Sequence, residues 1–418
     1  MRVLIVTAGS RGDVTPYTGL GARLRAAGHE VALAAPPPFA DVVTGCGLEF
    51  RPLSGDLSAI RTAAAEGGPP RSMTGAPGMI EFIRLGGRFA GDLGDDIAAA
   101  TEAGADVLLL STTTAPLGYS VAQHHDIPSL GVFLQPLQPT GAFPPILLGM
   151  RSLGRRGNRA AGRLGQLVGR RVYADASRRL RARLGLAPAS LASLDRRATA
   201  ERWPIMHGFS PAVVPRPPDW RPGLDVVGYW WPARSAPWQP PTELLDFLSA
   251  GPPPVYVGFG SLADSSGQLD ALIARSLHRA GMRGIIQTSG PGPGQRRSAS
   301  DELIAIGDAP HDWLFPRMAA LVHHAGCGTT AAGLRAGVPA VPVPMLADQP
   351  FWAARLAVLG VSPDIIPFRR LAEDRLVAAI SAAVSNPSFA GRARILAARL
   401  AAEDGARAVL AAVDRLAR

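Results

Sequence analysis

Hydrophobic residues form short continuous runs that alternate with amphipathic or polar stretches. In the first part of the chain such runs lie at residues 2–8, 31–35, 107–110 and 129–134. Continuous aliphatic runs of this length are typical of strands buried on both faces of a parallel sheet. Between the first two, residues 9–16 predict a polar loop and residues 17–27 an amphipathic helix that ends at Gly28. This order of strand, loop, helix and strand predicts a Rossmann-like domain.

The same alternation starts again at Val255, with further runs at residues 284–287, 303–306, 321–322 and 340–344. Residues 204–254, which separate the two cycles, are dense in proline. Proline excludes long helices and central strands, so this stretch predicts a connection with a short strand at residues 226–227. A length of 418 residues also suits two domains of about 200 residues each. The predicted organisation is an α/β fold with an N-terminal domain at 1–210, a linker at 211–240, a second domain at 241–400, and a C-terminal helix at 401–418 that packs back on the first domain.

The composition adds a positive charge and few cysteines. The net charge is +10, and every basic residue is arginine, which favours anionic partners. Nucleic acid is not an expected partner, because the arginines are not interleaved with aromatics and no nucleic-acid motif is present. Cys46 and Cys327 cannot form a disulfide framework or a multi-cysteine zinc site. Without a signal-peptide pattern or an apolar stretch of about 20 residues, we expect a cytoplasmic protein with no membrane span.

Residues 151–183 contain eleven arginines and one acidic residue, Asp175. Two interpretations stay open. The more ordinary one is a set of solvated arginines on helices that cover the domain. The other is a basic amphipathic surface that makes a peripheral contact with an anionic membrane, so that a lipophilic acceptor can enter.

The loop after the first strand, GSRGDVTP, contains one carboxylate, Asp13. At a strand-to-helix junction, a positioned carboxylate can act as general base by accepting a proton from a hydroxyl that attacks a sugar carbon. Aspartate is also a good capping residue for the helix that follows. The local pattern alone does not decide between the two.

Two loops in the second half have residues suited to anions. The string VYVGFGSL ends in Gly260 and Ser261, whose amides and hydroxyl suit a phosphate contact. The string HHAGCGTT follows a strand and opens a helix, and a helix start favours a diphosphate. Its candidate ligands are His324, Gly326, Gly328 and Thr329.

Asp348 and Gln349 follow the next strand and are suited to bind sugar hydroxyls. The adjacent histidines His323 and His324 do not predict a metal site, because adjacent side chains point apart and no third ligand has suitable spacing.

Four strings together are similar to those of the family 1 glycosyltransferases. They are GSRGDVTPY, FLQPLQPTGAFPP, VYVGFGSL, and APHDWLFPR followed by HHAGCGTTAAGLRAGVP and ADQPFW. The set resembles most closely the sterol glucosyltransferases and the bacterial enzymes that glycosylate glycopeptides and macrolides. The resemblance implies the GT-B fold, in which two Rossmann-like, doubly wound domains face each other across a cleft.

The resemblance also assigns residues on the acceptor side. Many relatives have a histidine base in the first loop, oriented by an aspartate from a later strand end. Here Asp13 stands at the histidine position and Ser111 at the aspartate position. A carboxylate base needs no second carboxylate, and an adjacent one would raise its pKa. The acceptor-binding candidates are Phe133, Gln135 and Phe143, each of which is equally compatible with a core or loop position.

For the donor, the resemblance implies that His324, with the helix start, contacts the diphosphate and that Ser261 is its companion. Asp348 and Gln349 resemble the pair that reads the donor sugar. His311 and Trp313 lie in a string that is usually near the nucleotide base. Ala332 replaces an acidic ribose-binding residue of many UDP-sugar enzymes, which leaves UDP and dTDP both open.

The implied function is an inverting, metal-independent transfer of a hexose from a nucleotide-diphosphate sugar to a hydroxyl of a lipophilic acceptor. The nucleotide sugar is a co-substrate, and no other cofactor is expected. A GT-B protein that is not a transferase, such as an epimerase or an inactive helper, is the alternative. A nicotinamide dehydrogenase is disfavoured, because the first loop lacks G-x-G-x-x-G.

Overall fold

A computed structural model of the protein describes residues 1–54, 86–146, 151–234, 238–259, 268–288, 302–345 and 347–416. The chain forms two compact units. Unit 1 consists of Met1–Pro211, Pro215–Ala236 and Asp404–Arg418. Unit 2 consists of Ala212–Val214 and Pro237–Glu403.

Unit 1 is built on a parallel sheet of seven strands in the order β3-β2-β1-β4-β5-β6-β7. The strands are β1 (Arg2–Val6), β2 (Glu30–Ala35), β3 (Glu49–Pro52), β4 (Val107–Leu110), β5 (Ser129–Phe133), β6 (Ile205–His207) and β7 (Leu224–Val226). Its helices are α1 (Arg11–Ala26), α2 (Ala40–Gly45), α3 (Leu93–Glu102), α4 (Ala115–His125), α5 (Gly154–Arg183) and α6 (Leu191–Ala200). The order reverses between β1 and β4, where ligands bind in open parallel sheets.

Unit 2 is built on a parallel sheet of five strands with the order β10-β9-β8-β11-β12. Its strands are β8 (Val255–Gly258), β9 (Gly284–Gln287), β10 (Leu303–Ile306), β11 (Ala320–His323) and β12 (Ala340–Pro342). Its helices are α7 (Thr242–Ser249), α8 (Gln268–Arg279), α9 (His311–Leu314), α10 (Cys327–Ala336), α11 (Gln349–Val358), α12 (Glu373–Ser385) and α13 (Pro387–Ala401). The first five strands of unit 1 have the same order, so the predicted pair of doubly wound sheets is confirmed.

The first helix differs from the prediction. α1 begins at Arg11, inside the stretch predicted to be a loop, and includes Pro16. Ser10 is its N-cap, and the Ser10 amide donates a 2.9 Å hydrogen bond to the carboxylate of Asp13, so a capping interaction starts the helix early. The predicted end is confirmed, since Gly28 follows the last turn with φ +93°.

The proline-dense stretch does more than connect. Two of its segments, β6 and β7, lie within residues 205–226. They extend the first sheet beyond β5. They pair as short parallel strands at the edge of the sheet, a position that tolerates neighbouring prolines. Part of the predicted linker at 211–240 therefore lies within the sheet of unit 1.

The C-terminal helix α14 (Gly405–Leu416) belongs to unit 1. Its Val409 and Val413 are fully buried in the core under the first sheet. The Gly405 carbonyl accepts a 3.0 Å hydrogen bond from Trp230 Nε1. The last helix is thus part of the N-terminal core.

Candidate active site

Asp13 lies in the first turn of α1, just past the carboxyl end of β1. Its Oδ2 accepts hydrogen bonds from the Ser10 amide at 2.9 Å and the Ser10 hydroxyl at 2.8 Å. Gly9, at φ +140°, makes room for this carboxylate, because a Cβ there would lie 2.7 Å from Oδ2. The strand end, the glycine and the N-cap together fix the position of Asp13.

The other oxygen of Asp13 faces a residue from the end of β5. Gln135 Nε2 donates to Asp13 Oδ1 at 3.3 Å, and Gln135 Oε1 accepts from the Thr112 hydroxyl at 3.0 Å. Thr112 follows β4, so three neighbouring strand ends contribute one residue each to a chain of hydrogen bonds. The structure thus brings together two predicted site residues, Asp13 and Gln135, and adds Thr112.

Burial raises the pKa of the Asp13 carboxyl above its ordinary value. The hydrogen bonds from Ser10 and Gln135 favour the ionised form and oppose that shift. Asp13 is therefore a partly desolvated carboxylate with a raised pKa, the property that a general base for a hydroxyl requires.

Ser111 does not contact Asp13. Its hydroxyl makes hydrogen bonds with those of Thr113 at 3.0 Å and Thr114 at 3.1 Å. Thr113 and Thr114 in turn donate to the carbonyls of Ala8 and Val6. The run of hydroxyl residues after β4 therefore holds the end of β1 in place, while the side chains that donate hydrogen bonds to the Asp13 carboxylate are those of Ser10 and Gln135.

The two predicted aromatic acceptor residues lie in different surroundings. Phe133 is buried in β5 and packs edge-on against Trp203 and His207. Of the two interpretations that the sequence allowed, it therefore fits the core position. Phe143 is half-buried in the loop that follows β5.

Asp219, which sequence reasoning did not single out, holds that loop. Its carboxylate accepts hydrogen bonds from the Thr140 hydroxyl at 2.6 Å and the Gly141 amide at 2.8 Å, and pairs with Arg159 of α5. Burial alone would raise the pKa of Asp219, but these bonds together hold it well below its ordinary value. The loop after β5 is thereby fixed to α5.

In unit 2, β11 ends at His323 and His324 follows it, next to β8 at the point where the strand order reverses. His323 is fully buried, and its Nδ1 accepts a 3.0 Å hydrogen bond from the Ala325 amide. Ala325 has φ +62°, a strained conformation for a residue with a side chain. His323 is therefore a structural residue that shapes the turn into α10.

Both histidines are held towards the neutral form. Burial lowers the pKa of His323 to about 3, and His324 and His311 nearby add to the effect. Burial also lowers the pKa of His324, and a hydrogen bond with the backbone of Gly258 offsets only part of that shift. The His324 Nδ1 is buried without a hydrogen-bond partner. A neutral His324 is suited to hydrogen bonding with a ligand more than to carrying charge.

Gly326 is the N-cap of α10, and the His324 ring lies against it, since a Cβ on Gly326 would be 2.5 Å from His324 Nε2. Gly328 is exposed and faces open space. Thr329 follows in the same turn, where backbone N–H groups have no acceptor within the helix. His324, Gly326, Gly328 and Thr329 therefore lie together at the start of a ten-residue helix.

His311 and Trp313 lie on α9, which packs against α10. The His311 ring stacks on Phe315 with centroids 4.2 Å apart. Trp313 contacts Trp238, with centroids 5.0 Å apart, and has the guanidinium of Arg317 over its ring. The half-buried Trp313 thus presents a supported aromatic surface beside the helix start.

Asp348 and Gln349 are both oriented by the protein. Asp348 is the N-cap of α11, and its Oδ2 accepts a 2.8 Å hydrogen bond from Trp352 Nε1. Gln349 is buried, and its Oε1 accepts a 2.8 Å hydrogen bond from the Met345 amide. The pair thus has fixed side-chain positions after β12.

Two predicted phosphate ligands, Gly260 and Ser261, lie outside the described residues. Within the described part of the chain, His, Cys, Asp and Glu side chains form no group of three suited to bind a metal ion. The same part contains no helix with the length and apolar character needed to cross a membrane.

Two protein families match the chain. Residues 3–88 match the glycosyltransferase family 28 N-terminal domain. Residues 295–416 match the C-terminal domain of the erythromycin biosynthesis protein CIII-like family. The matches therefore include the loop with Asp13 and the helix start with His324.

Curated relatives cover nearly all of the chain. An O-mycaminosyltylonolide 6-deoxyallosyltransferase of Streptomyces fradiae is 34% identical over 97% of this chain and 95% of the relative. A sterol 3-beta-glucosyltransferase of Arabidopsis thaliana is 33% identical over 97% of this chain and 64% of the relative.

Solved structures share the fold. The glycotransferase of kitacinnamycin has a TM-score of 0.70 at 21% identity, over 99% of this chain and 98% of that one. The glycosyltransferase SsfS6 of Streptomyces sp. SF2575, solved with thymidine diphosphate, has a TM-score of 0.66 at 24% identity, over 99% of both chains.

Proposed function

The chain belongs to the family of glycosyltransferases that includes sterol 3-beta-glucosyltransferases, and from this membership we propose that it is an inverting, metal-independent hexosyltransferase. The donor we propose is a UDP- or dTDP-hexose. The acceptor we propose is a hydroxyl of a lipophilic molecule, which is a sterol-like compound, a glycolipid or a secondary metabolite. Both curated relatives are named as transferases, which favours transfer over the alternative of an epimerase or an inactive helper.

Asp13 is the proposed general base, and its position is the observation that carries the proposal. The carboxylate lies at the strand-order reversal of the first sheet, with one oxygen held by Ser10 and the other facing Gln135. As the acceptor oxygen bonds to the anomeric carbon, its proton passes to Asp13. The bond from that carbon to the diphosphate oxygen breaks at the same time. A single displacement of this kind inverts the configuration at the anomeric carbon.

The proposed leaving-group site is the start of α10. The departing diphosphate gains negative charge as the bond breaks. Backbone amides at a helix start, together with a neutral His324 that donates a hydrogen bond, favour that charge. Removing one pre-oriented donor of this kind costs roughly 3 kcal/mol of transition-state stabilisation. Ser261 is proposed as a further phosphate contact.

The remaining donor contacts follow from the fixed side chains of unit 2. Asp348 and Gln349 are proposed to hydrogen-bond the sugar hydroxyls, because their hydrogen bonds to Trp352 and Met345 hold them in one orientation. Trp313 and His311 are proposed to lie near the nucleotide base. On the acceptor side, the loop that contains Phe143 is the proposed pocket wall, with Gln135 at its start.

The test is incubation of the purified protein with UDP-glucose or dTDP-glucose and a panel of hydroxylated hydrophobic acceptors. We expect acceptor-dependent release of the nucleoside diphosphate, a β-glycoside product from an α-linked donor, and unchanged rates in a chelator. Reactions without acceptor give the background hydrolysis. Failure of every donor to support acceptor-dependent release would contradict the proposal, and a product that keeps the donor's configuration would exclude the single displacement.

For the site of action, we propose the cytoplasm, with peripheral contact at the inner face of the membrane. A lipophilic acceptor partitions into a bilayer, so a transferase that acts on it gains from working at that surface.

A further inference from the structure

The arginine-rich segment forms a single helix, α5, of 30 residues. One side packs on unit 1 through buried residues that include Asn158, Gly162, Val172, Ala176 and Leu180. Asn158 and Gly162 lie four residues apart, as do Val172, Ala176 and Leu180, and the ten residues between Gly162 and Val172 are close to three full turns. All five residues therefore lie on one face of the helix. The opposite side faces solvent.

That outward side carries leucines. The exposed fractions of Leu153, Leu164 and Leu167 are 61%, 57% and 52%. Leu164 and Leu167 lie three residues apart, and Leu153, the N-cap residue, lies in line with them three turns earlier. Single exposed leucines are common, but an aligned set on a polar helix indicates an interaction surface.

Two groups among the arginines of α5 have different surroundings. Arg159, Arg170 and Arg183 form ion pairs with acids elsewhere in unit 1 and so help to hold the helix in place. Arg156, Arg163 and Arg171 are exposed on the outward side beside the leucines. No acid among the described residues forms an ion pair with these three. The outward face, defined here as Leu153, Leu164, Leu167, Arg156, Arg163 and Arg171, is therefore both apolar and positively charged.

We propose that this outward face of α5 docks on the surface of an anionic lipid bilayer. Leucines that enter the acyl boundary beside arginines that meet the headgroups are the pattern of interfacial helices. A second copy of the chain fits less well, because it would bring the same unpaired arginines against each other in a protein of net charge +10. Nucleic acid would use the arginines and leave the leucines without a partner.

The acceptor loop packs on the inner side of α5, so docking of the outward face would serve the proposed function. This connection between docking and catalysis rests on the proposed function. The loop after β5, the proposed acceptor wall, packs on α5. A Cβ on Gly162 would lie 3.0 Å from Pro139, and Arg159 pairs with Asp219, which binds Thr140 and Gly141. Docking of the outward face would thus hold the acceptor loop close to the membrane that contains a lipophilic acceptor.

Sedimentation of the full chain with vesicles tests the proposal. Vesicles of phosphatidylglycerol mixed with phosphatidylcholine are compared with vesicles of phosphatidylcholine alone, at low and high salt. We expect binding to the anionic vesicles that weakens with salt. The double variant Leu164→Ser/Leu167→Ser should bind about tenfold more weakly. Replacing Arg156, Arg163 and Arg171 by Gln should weaken binding by about fivefold per arginine.

Matched variants elsewhere control for general changes in charge and hydrophobicity. The double variant Leu245→Ser/Ile395→Ser removes exposed apolar side chains of unit 2. The triple variant Arg394→Gln/Arg399→Gln/Arg415→Gln removes three exposed positive charges, the same number as the outward-face arginine variant. Both should bind like the wild type. Equal binding to neutral vesicles, equal losses in the control variants, or self-association that the leucine variants abolish would each overturn the proposal.

The outcome is separable from the test of transferase activity. The outward-face variants should keep wild-type thermal stability and wild-type turnover of a water-soluble acceptor. Vesicle binding is measured without any donor. Its result therefore does not depend on whether the protein transfers a sugar.

Discussion

Asp13 uses its two carboxylate oxygens for different contacts. Oδ2 accepts two hydrogen bonds from Ser10 at the start of α1, whereas Oδ1 accepts one longer bond from Gln135. The sequence left capping and catalysis as alternatives for this residue. Because capping occupies Oδ2 alone, the same side chain can start the helix and still present Oδ1 to a hydroxyl.

Asp13→Asn tests the catalytic function at this residue. Asparagine keeps the shape and can still accept from Ser10, but it cannot take a proton. We expect turnover to fall by roughly 10²-fold or more, the size of a general-base contribution, with donor affinity in titration calorimetry unchanged. Asp41→Asn, at an exposed position on α2, is the control. Turnover near the wild-type value would leave Asp13 as a cap alone.

Gln135 provides a second test, because its hydrogen bond favours the ionised form of Asp13. A base must be deprotonated, so activity falls as pH drops through the raised pKa of Asp13. Gln135→Ala removes the bond, raises that pKa further and should move the acid limb of kcat/KM to higher pH. Gln135→Glu, which adds a second carboxylate, should move it further still. Gln138→Ala, in the same loop, should leave the limb in place. An acid limb that stays fixed in both Gln135 variants would show that this bond does not control Asp13.

Among the elements, the buried strands were the most predictable, because a continuous aliphatic run between polar loops is typical of a strand covered on both faces. The start of α1 was predicted less well, since Ser10 and Asp13 begin the helix within a glycine-rich stretch that looks like a loop. Gln135 was predicted as an acceptor residue and Asp13 as a base, yet their contact was not. They lie 122 residues apart, and the approach of the ends of β1 and β5 depends on strand order, which the hydrophobic pattern does not contain.

The start of α10 can be tested by adding one methyl group. Gly328 is exposed in the first turn and has open space where a Cβ would lie. Gly328→Ala should therefore fold as well as the wild type, and helix propensity would add up to about 1 kcal/mol. The methyl group would occupy the space through which an anion approaches the amides, so we expect weaker UDP and dTDP binding in calorimetry.

Gly391→Ala is the matched control for that variant, because Gly391 also lies within a helix and faces open space. It should gain similar stability without any change in nucleotide affinity. Equal nucleotide affinity in Gly328→Ala and wild type would remove this helix start from the donor site.

For the whole molecule, the sequence predicted two sheets, and the predicted linker at 211–240 includes β7, which pairs within the first sheet. Proline marked residues 204–254 as irregular, and most of that stretch is irregular, yet Ile205–His207 and Leu224–Val226 still pair as strands. Strands of three residues, with β7 at the edge of the sheet and β6 next to it, make few demands on sequence, so composition does not reveal them. The local pattern at the end of the chain predicts a helix but does not identify the core on which it packs, since an amphipathic helix fits many cores.

Unit 1 is therefore discontinuous: its core is completed by the end of the chain. α14 contributes Val409 and Val413, both fully buried, and the Gly405 carbonyl at its start accepts a hydrogen bond from Trp230 Nε1. Asp404 pairs with Arg23, and Asp414 lies 3.1 Å from His29, both within unit 1. A chain that ends at Glu403 would expose the apolar surface that α14 covers. Each fully buried valine contributes roughly 1.5–3 kcal/mol, which is a large share of the roughly 5–15 kcal/mol by which a typical domain is stable.

Such a truncated chain should keep the calorimetric unfolding transition of unit 2 and lose or strongly weaken that of unit 1. Nucleotide binding, which we assign to unit 2, should persist while transfer to an acceptor is abolished. A chain that ends at Leu416 keeps all of α14 and serves as the control. Wild-type unfolding of the chain that ends at Glu403 would mean that α14 adds little to the first core. Loss of nucleotide binding together with the unit 1 transition would instead mean that the donor site depends on unit 1 as well, because unit 2 retains every donor residue proposed here.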